Sequence, residues 1–144
     1  MDIKSTAFNN GEPIPAKYTC LGQNIPPPLT IGGTPPGAKS LVLIVDDPDA
    51  PMGTWVHWVV YNIKPDTLFI DRTPDSAQEG MTDSRKPGYG GPCPPPGKPH
   101  RYFFKIYALD TALNLKAGAS KGEVESAMRG HILAEAKLMG TFER

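Results

Sequence analysis

The chain has 144 residues, enough for one domain with a sizeable core. Its fifteen basic and fifteen acidic residues cancel, which argues against a nucleic-acid partner or an anionic membrane surface. No apolar stretch reaches the roughly 18 residues of a membrane span, and no export signal opens the chain. We therefore expect a single cytoplasmic domain over residues 1–144, without stable membrane insertion and with Cys20 and Cys93 as reduced thiols, although one disulfide stays open.

Proline and glycine separate short apolar runs along the chain and predict a mostly β sandwich or barrel. The polar stretch 64–99 has little periodicity, which favours functional loops. Ser120 and Glu123 have the spacing of a capping box and predict a helix over 121–129. The predicted elements, in chain order, are strands at 2–8, 29–31, 41–47, 55–63 and 101–109, the helix, a possible second helix at 131–136, and a closing strand at 138–143.

The strongest pair of strands encloses the acidic turn at residues 46–51, DDPDAP. Three carboxylates within four positions repel one another, and burial of any of them is costly unless it is paired or hydrogen-bonded. Pro48 and Pro51 fix φ and remove backbone donors, so the turn is expected to be rigid. A stiff acidic turn beside His57, which lies inside the next apolar run, is typical of a site.

Side chains alternate between the two faces of a strand, which places chemically active residues together. The alternation predicts one shared face for each of three strands: Leu41, Leu43, Val45 and Asp47; Trp55, His57, Val59 and Tyr61; and His100, Tyr102, Phe104 and Ile106. If the strands are neighbours, Asp47, His57, His100 and Tyr102 converge at one end of the sheet. Gly90-Gly91-Pro92 would form the opposite lip and bring backbone N–H groups towards a ligand.

Four uncommon patterns occur in order, DDPDAP, GTWVHWVVYNI, YGGPCPPPGKPHRYFF and IYALD, and together they resemble the phosphatidylethanolamine-binding protein or Raf kinase inhibitor-like family, especially its short prokaryotic branch. The resemblance covers nearly the whole chain. It implies a Greek-key β-sandwich of two sheets, with one or two short helices in the carboxy-terminal region and a small anion-binding pocket. The residues that match the family's pocket motifs are Asp47, Asp49, His57, Gly91, Pro94, His100 and Tyr102, with Pro95 and Pro96 as alternatives to Pro94.

The chain departs from the longer family members at its carboxy terminus. Those proteins have a helix that closes the pocket, whereas this chain ends at Arg144, just past the strand that precedes that helix. We therefore expect a more open pocket, and a homodimer that covers the exposed apolar surface.

Three functions are open at this point. The first is a non-enzymatic protein that binds phosphate, a phosphorylated headgroup or a similar small anion, with no cofactor and no metal. The second is inhibition or regulation of a protease or kinase through the exposed proline-rich loops. The third is metal-assisted or acid–base hydrolysis, which lacks support because no nucleophile motif and no HExxH spacing is present.

The sequence also predicts two features of the backbone and the core. The resemblance predicts cis peptide bonds at Ala50–Pro51 and Gly53–Thr54, the first of a type in which cis is inexpensive. The apolar patterning predicts that Trp55 and the four residues Ile44, Trp58, Val60 and Phe103 belong to the core, the latter four between the two sheets.

Overall fold

Two antiparallel sheets contain all the strands of the chain, whose residues 1–144 are described by a computed structural model. The elements are β1 (Asp2–Ser5), a 3-10 turn (Ala16–Tyr18), β2 (Leu29–Gly32), β3 (Ser40–Asp47), β4 (Trp55–Ile63), β5 (Phe69–Ile70), β6 (Gln78–Glu79), β7 (His100–Leu109), α1 (Lys121–Met128) and β8 (Ile132–Phe142). The smaller sheet has the order β1-β2-β5 and the larger one β6-β4-β3-β7-β8.

The larger sheet is built around β3, which lies between β4 and β7. The chain leaves β4 and returns as β7 on the far side of β3, so the connection crosses the hairpin as in a Greek key. All eight residues of β3 are buried, since the small sheet covers one face and α1 with the preceding loop covers the other. This double coverage explains the continuous apolar run in its sequence, and it confirms the predicted mostly β sandwich.

The carboxy-terminal region has one helix, not two. The capping box of Ser120 and Glu123 forms as predicted, and the helix ends before Gly130, whose φ of +81° stops it. The predicted second helix at 131–136 is wrong, because β8 already begins at Ile132 and its side chains alternate between exposed and inward positions. Neither the length nor the apolar character of any helix here is sufficient for a membrane span.

The stretch 64–99 is mostly irregular, as expected, and it contains only the two-residue strands β5 and β6. Its backbone is tied to β4 by three hydrogen bonds in which Gly80, Asp83 and Gly90 donate their N–H groups to carbonyls of Val59, Val56 and His57. The long loop therefore lies along the edge of the larger sheet, beyond the point where β6 ends.

Cys20 and Cys93 form a disulfide bond, with Cα atoms 5.4 Å apart, so the expectation of reduced thiols is wrong. The pairing could not be read from spacing, because 73 residues separate the two cysteines. Disulfides are typical of oxidising compartments and also of intracellular proteins from hyperthermophiles. The bond joins the segment after the 3-10 turn to the proline-rich loop that precedes β7.

All peptide bonds are trans, so both predicted cis bonds are wrong. The Gly53 N–H group donates to the Ala50 carbonyl (3.1 Å) and closes a four-residue turn with Pro51 in its second position. A trans proline already has the φ that this position requires. Gly53 has φ +106°, which a residue with a side chain rarely adopts, and this freedom lets the turn return into β4.

Of the four residues expected to be buried between the two sheets, two are found there. Trp58 and Val60 are buried between the sheets, but Ile44 is buried on the opposite face of the large sheet, under α1. Phe103 is only half-buried and lies on that outer face, where the cationic groups of Arg101, Lys105 and Lys137 approach its ring. Its neighbour Phe104 occupies the core, as the alternation along β7 requires.

This difference between adjacent phenylalanines gives a stability prediction. Phe104→Ala should lower the free energy of unfolding by about 3–5 kcal/mol, as truncation of a buried aromatic does. Phe103→Ala should cost less than about 1.5 kcal/mol, because surface-facing substitutions leave no closed cavity. Urea denaturation of the two variants checks this, and equal losses would show that the faces of β7 are assigned wrongly.

Candidate functional site

A cavity of about 280 Å³ opens where β3 ends and where β4 and β7 begin. The acidic turn forms one wall and the loop before β7 forms the other. The residues that line it are Asp47, Ala50, Pro51, Trp55, His57, Ser84, Gly91, Cys93, Pro94, Pro95, His100 and Tyr102. Six of the seven residues expected in the site line this cavity, and Asp49 is the exception.

Asp47 and His100 form a buried pair at the base of the cavity. Oδ2 of Asp47 accepts a hydrogen bond from Nδ1 of His100 at 2.7 Å, and both side chains are at most 6% exposed. The other carboxylate oxygen of Asp47 accepts the backbone N–H of Asp49 at 2.7 Å. Because Nδ1 of His100 is the donor to the carboxylate, Nε2 is the ring nitrogen that remains for a ligand.

Asp49 is not among the lining residues, and its carboxylate binds Arg101. It accepts hydrogen bonds from the backbone N–H, Nε and Nη2 of Arg101, each at 2.9 Å. The guanidinium lowers the pKa of Asp49 to about 2, chiefly through the side-chain hydrogen bonds. Asp49 therefore contributes to the site by fixing the start of β7, and it does not line the cavity as the motif match suggested.

His57 lies on a β-bulge. Val45 pairs with Trp58 and Asp46 pairs with Val56, so His57 is the extra residue in β4 and has no partner on β3. A bulge places two successive side chains on nearly the same side of the sheet. His57 therefore lines the cavity, while Trp58 directly after it packs in the core between the sheets.

The bulge also corrects the predicted face of β4. Strict alternation puts Val59 and Tyr61 on the same side as His57, but both pack under α1 on the opposite face. The prediction fails because the count of two residues per repeat is interrupted at the bulge. Bulges are common beside active and binding sites, where they redirect a side chain.

The tautomer of His57 is fixed by the backbone. Nδ1 of the ring lies 2.7 Å from the Gly90 carbonyl, which can only accept, so Nδ1 carries the hydrogen. Burial lowers the pKa of His57 below its ordinary value, and the opposing effects of the Gly90 carbonyl and the nearby aspartates do not offset this. In the neutral ring Nε2 is then a hydrogen-bond acceptor.

Tyr102 places a hydroxyl group next to these histidines. Its ring packs edge-on against His57, with centroids 5.3 Å apart. The hydroxyl is buried and forms no hydrogen bond of good geometry in the chain, although the Asp47 carboxylate is close enough to act on it. Burial and the Asp47 carboxylate raise the pKa of Tyr102, so the hydroxyl keeps its proton and remains a donor.

The glycine lip does not offer free N–H groups, which corrects the expected role of Gly91. Its N–H donates to the side chain of Asn24 (2.8 Å), and the N–H of Gly90 donates to the His57 carbonyl (3.0 Å). A Cβ atom at Gly91 would overlap the Tyr18 carbonyl and the Asn24 side chain. Glycine is required there for close packing against the segment of the 3-10 turn.

Several lining residues were not expected from the sequence. Trp55, which was expected in the core, is 41% exposed at the cavity rim, and Ser84 comes from the middle of the long loop. Pro94 and Pro95 both line the cavity, whereas Pro96 does not. Arg144 donates from Nε to the Pro94 carbonyl (2.6 Å) and supports that wall. No local pattern marked Ser84 or Arg144, because only the long loop and the last strand bring them here.

The arrangement also bears on metal binding. No three side chains from His, Cys, Asp and Glu are grouped anywhere in the chain as they would need to be to hold a metal ion. The polar residues of the lining can make hydrogen bonds, and they include the two imidazoles, Tyr102 and Ser84.

The buried neutral state of His57 predicts a pH dependence of stability. The pKa in the folded chain is lowered, so the unfolded chain takes up a proton first as the pH falls. The contribution of His57 is fully present above about pH 6.5 and is lost below it, with a slope of up to about 1.4 kcal/mol per pH unit. Urea unfolding at pH values from about 7.5 to 5 should show a smaller loss for His57→Gln than for the native chain. The same loss in both would contradict a buried neutral ring.

Comparison with known proteins gives a consistent family. The family model described as phosphatidylethanolamine-binding protein matches residues 4–143. A UPF0098 protein of Methanothermobacter thermautotrophicus is 53% identical, with the match covering 100% of this chain and 99% of that protein. A UPF0098 protein of Pyrococcus horikoshii is 51% identical over 100% of this chain and 78% of its own length.

Two solved structures have the same fold. A putative phosphatidylethanolamine-binding protein homologue from Chlamydia trachomatis superposes with a TM-score of 0.94 at 45% identity and covers 99% of this chain and 97% of its own. E. coli YbcL, described as a new member of the mammalian PEBP family, has a TM-score of 0.92 at 32% identity and covers 99% and 98%. The chain belongs to the phosphatidylethanolamine-binding protein family.

Proposed function

We propose that the protein binds a small phosphorylated anion in this cavity without chemical turnover. The observation that carries the proposal is the buried hydroxyl of Tyr102, which forms no hydrogen bond of good geometry in the chain. A buried donor without a partner is costly, and folded proteins rarely leave one unless another molecule satisfies it. An anion oxygen in the cavity would accept this hydrogen bond.

The histidines support the same ligand. His57 and His100 both line the cavity and each uses Nδ1 within the protein, which leaves Nε2 of each ring for a ligand. A tetrahedral oxyanion can meet two ring nitrogens and one hydroxyl at once, because its oxygens point in different directions. The fixed rings reduce the entropy lost on binding, since their side chains are ordered before the ligand arrives.

The size of the cavity restricts the ligand. At about 280 Å³ it lies just below the usual range of small-molecule sites, about 300–1,000 Å³. A phosphate group with a short substituent fits this volume. The rim residues Trp55, Pro51 and Pro95 are apolar and would contact the substituent.

The proposed absence of turnover follows from the chemistry of the lining. The Ser84 hydroxyl is the only alcohol nucleophile in the lining, and neither histidine is hydrogen-bonded to it. Cys93 is held in the disulfide and has no thiol to react. An activated serine needs a base to which its hydroxyl is hydrogen-bonded, and Ser84 has no such bond to either histidine.

Removal of the Tyr102 hydroxyl tests the proposal. Tyr102→Phe should weaken the binding of phosphoethanolamine by about 10- to 100-fold, the usual effect of losing a hydrogen bond to a charged group. The same variant should be as stable as the native chain or more so, because the lost hydroxyl forms no hydrogen bond of good geometry. Isothermal titration calorimetry and urea unfolding give the two values.

Tyr107→Phe is the matched control, since it removes a hydroxyl from the same strand on the outer face of the sheet. It should leave affinity unchanged. Equal affinity of the native chain and Tyr102→Phe for phosphoethanolamine would show that the Tyr102 hydroxyl does not contact the ligand. Release of inorganic phosphate during the titrations would place the protein among the hydrolases instead.

A further inference from the structure

The cavity is richer in hydrogen-bond acceptors than a site for a fully ionised anion. The Asp47 carboxylate lines it, and Nε2 of the neutral His57 ring presents a lone pair. An oxyanion without a proton would bring its own lone pairs against these groups and gain nothing from them. Apart from the exposed Ser84 and Trp55 side chains, the side-chain donor of the lining that does not depend on histidine protonation is the Tyr102 hydroxyl.

We infer that the cavity selects a tetrahedral anion that carries its own acidic proton, a phosphomonoester or inorganic phosphate with a P–OH group, and rejects isosteric sulfate esters. This inference rests on the proposed function and specifies its ligand. The P–OH group donates to Nε2 of His57, while an ionised oxygen of the same ligand accepts from Tyr102. The selecting element is the Gly90 carbonyl, which holds the hydrogen of His57 on Nδ1 and turns Nε2 into an acceptor.

The position and orientation of the His57 ring, and with them its tautomer, are fixed by three contacts. The bulge fixes the ring position, and the 2.7 Å contact with Gly90 fixes its orientation. The ring is packed edge-on against Tyr102, which leaves little room for a flip. A carbonyl cannot donate, so exchange of the two ring nitrogens would leave Gly90 facing a lone pair.

Charged and titratable groups around His57 come from three elements. Strand β3 contributes Asp46 and Asp47, strand β7 contributes His100, and the long loop contributes Asp83. The aspartates favour the imidazolium form, and burial opposes it more strongly. At neutral pH the His57 ring is therefore uncharged and its Nε2 accepts a hydrogen bond. A ligand with a P–OH group supplies the proton for that hydrogen bond.

The distinction between phosphate and sulfate esters follows from their acidity. A phosphomonoester has a second pKa of about 6, so near that pH much of it carries one proton and one charge. A sulfate monoester has the same shape and the same single charge but no proton to donate. A comparison of the two esters therefore measures the effect of the ligand's acidic proton at constant size and net charge.

Methyl phosphate and methyl sulfate provide the test, by calorimetric titration of the native chain at about pH 6, near the second pKa of a phosphomonoester. Methyl phosphate should bind about 10- to 100-fold more tightly, the range expected when a buried acceptor would otherwise face a ligand lone pair. Dimethyl phosphate, a diester with one charge and no P–OH, should bind as poorly as methyl sulfate. Equal affinities for methyl phosphate and methyl sulfate would overturn the inference and leave the proposed function intact.

The variant His57→Gln tests whether the His57 ring causes the preference for methyl phosphate over methyl sulfate. An amide can turn its NH₂ group towards a sulfate oxygen, so the variant should bind the two esters within about threefold of each other. A selectivity in His57→Gln equal to that of the native chain would remove His57 as the selecting residue. If the variant does not fold, as circular dichroism would show, titration of the native chain against pH replaces it. Methyl sulfate affinity should then rise by up to about tenfold per pH unit as the pH falls towards the lowered pKa of His57, and it should level off below that pKa. A flat profile over the whole range would overturn the inference.

Failure of the proposed function gives a different result. If neither ester nor inorganic phosphate binds at any pH, the cavity is not an anion site. Both the proposed function and the inferred selectivity are then wrong. Inorganic phosphate and free phosphoethanolamine, a phosphomonoester, share the P–OH chemistry. Parallel titrations with inorganic phosphate and phosphoethanolamine therefore separate them by the contribution of the substituent at the apolar rim.

Discussion

The buried hydrogen bond between Asp47 and His100 is the interaction on which the site depends. A carboxylate removed from water is stable only with partners, and Asp47 has two: the imidazole of His100 and the backbone N–H of Asp49. The first ties the end of β3 to the start of β7. The second fixes the acidic turn, and the turn in turn presents Asp49 to Arg101. The Asp47 carboxylate thus fixes both the orientation of the His100 ring and the conformation of the acidic turn that forms one wall of the cavity.

The acidic turn is tolerated because each of its carboxylates has its own basic partner. Asp46 points to the outer face, where Lys105 and Lys121 lie 3.1 and 3.0 Å away. Asp47 points to the inner face and pairs with His100, while Asp49 forms a bidentate pair with Arg101 at the rim. Alternation along the strand separates the first two carboxylates, so the repulsion expected from the sequence is not realised.

Alternation also explains how much of the site the sequence could predict. Asp47, His100 and Tyr102 were placed together correctly because β3 and the start of β7 are regular where they contribute. His57 was placed in the site for an incomplete reason, since strict alternation assigned Val59 and Tyr61 to its face. A bulge adds one residue to the count, and no residue type in the run signals it. Phe103 and Phe104 show a related limit, because two equal side chains in succession do not reveal which one faces the core.

Long-range contacts account for the remaining differences. The disulfide between Cys20 and Cys93, the use of the Gly91 N–H by Asn24, and the contact of Arg144 with Pro94 all join segments far apart in the sequence. Spacing carries no information about such pairs. The trans bond at Ala50–Pro51 has a local cause, since a turn closed by Gly53 accommodates trans proline in its second position.

The central claim is that three side chains of this cavity are arranged around one tetrahedral anion. A crystal structure of the protein with phosphoethanolamine tests it most directly. We expect density for the phosphate group within about 3 Å of Nε2 of His57, Nε2 of His100 and the hydroxyl of Tyr102. An empty cavity at saturating ligand, or a phosphate bound only at the surface away from these three atoms, would contradict it.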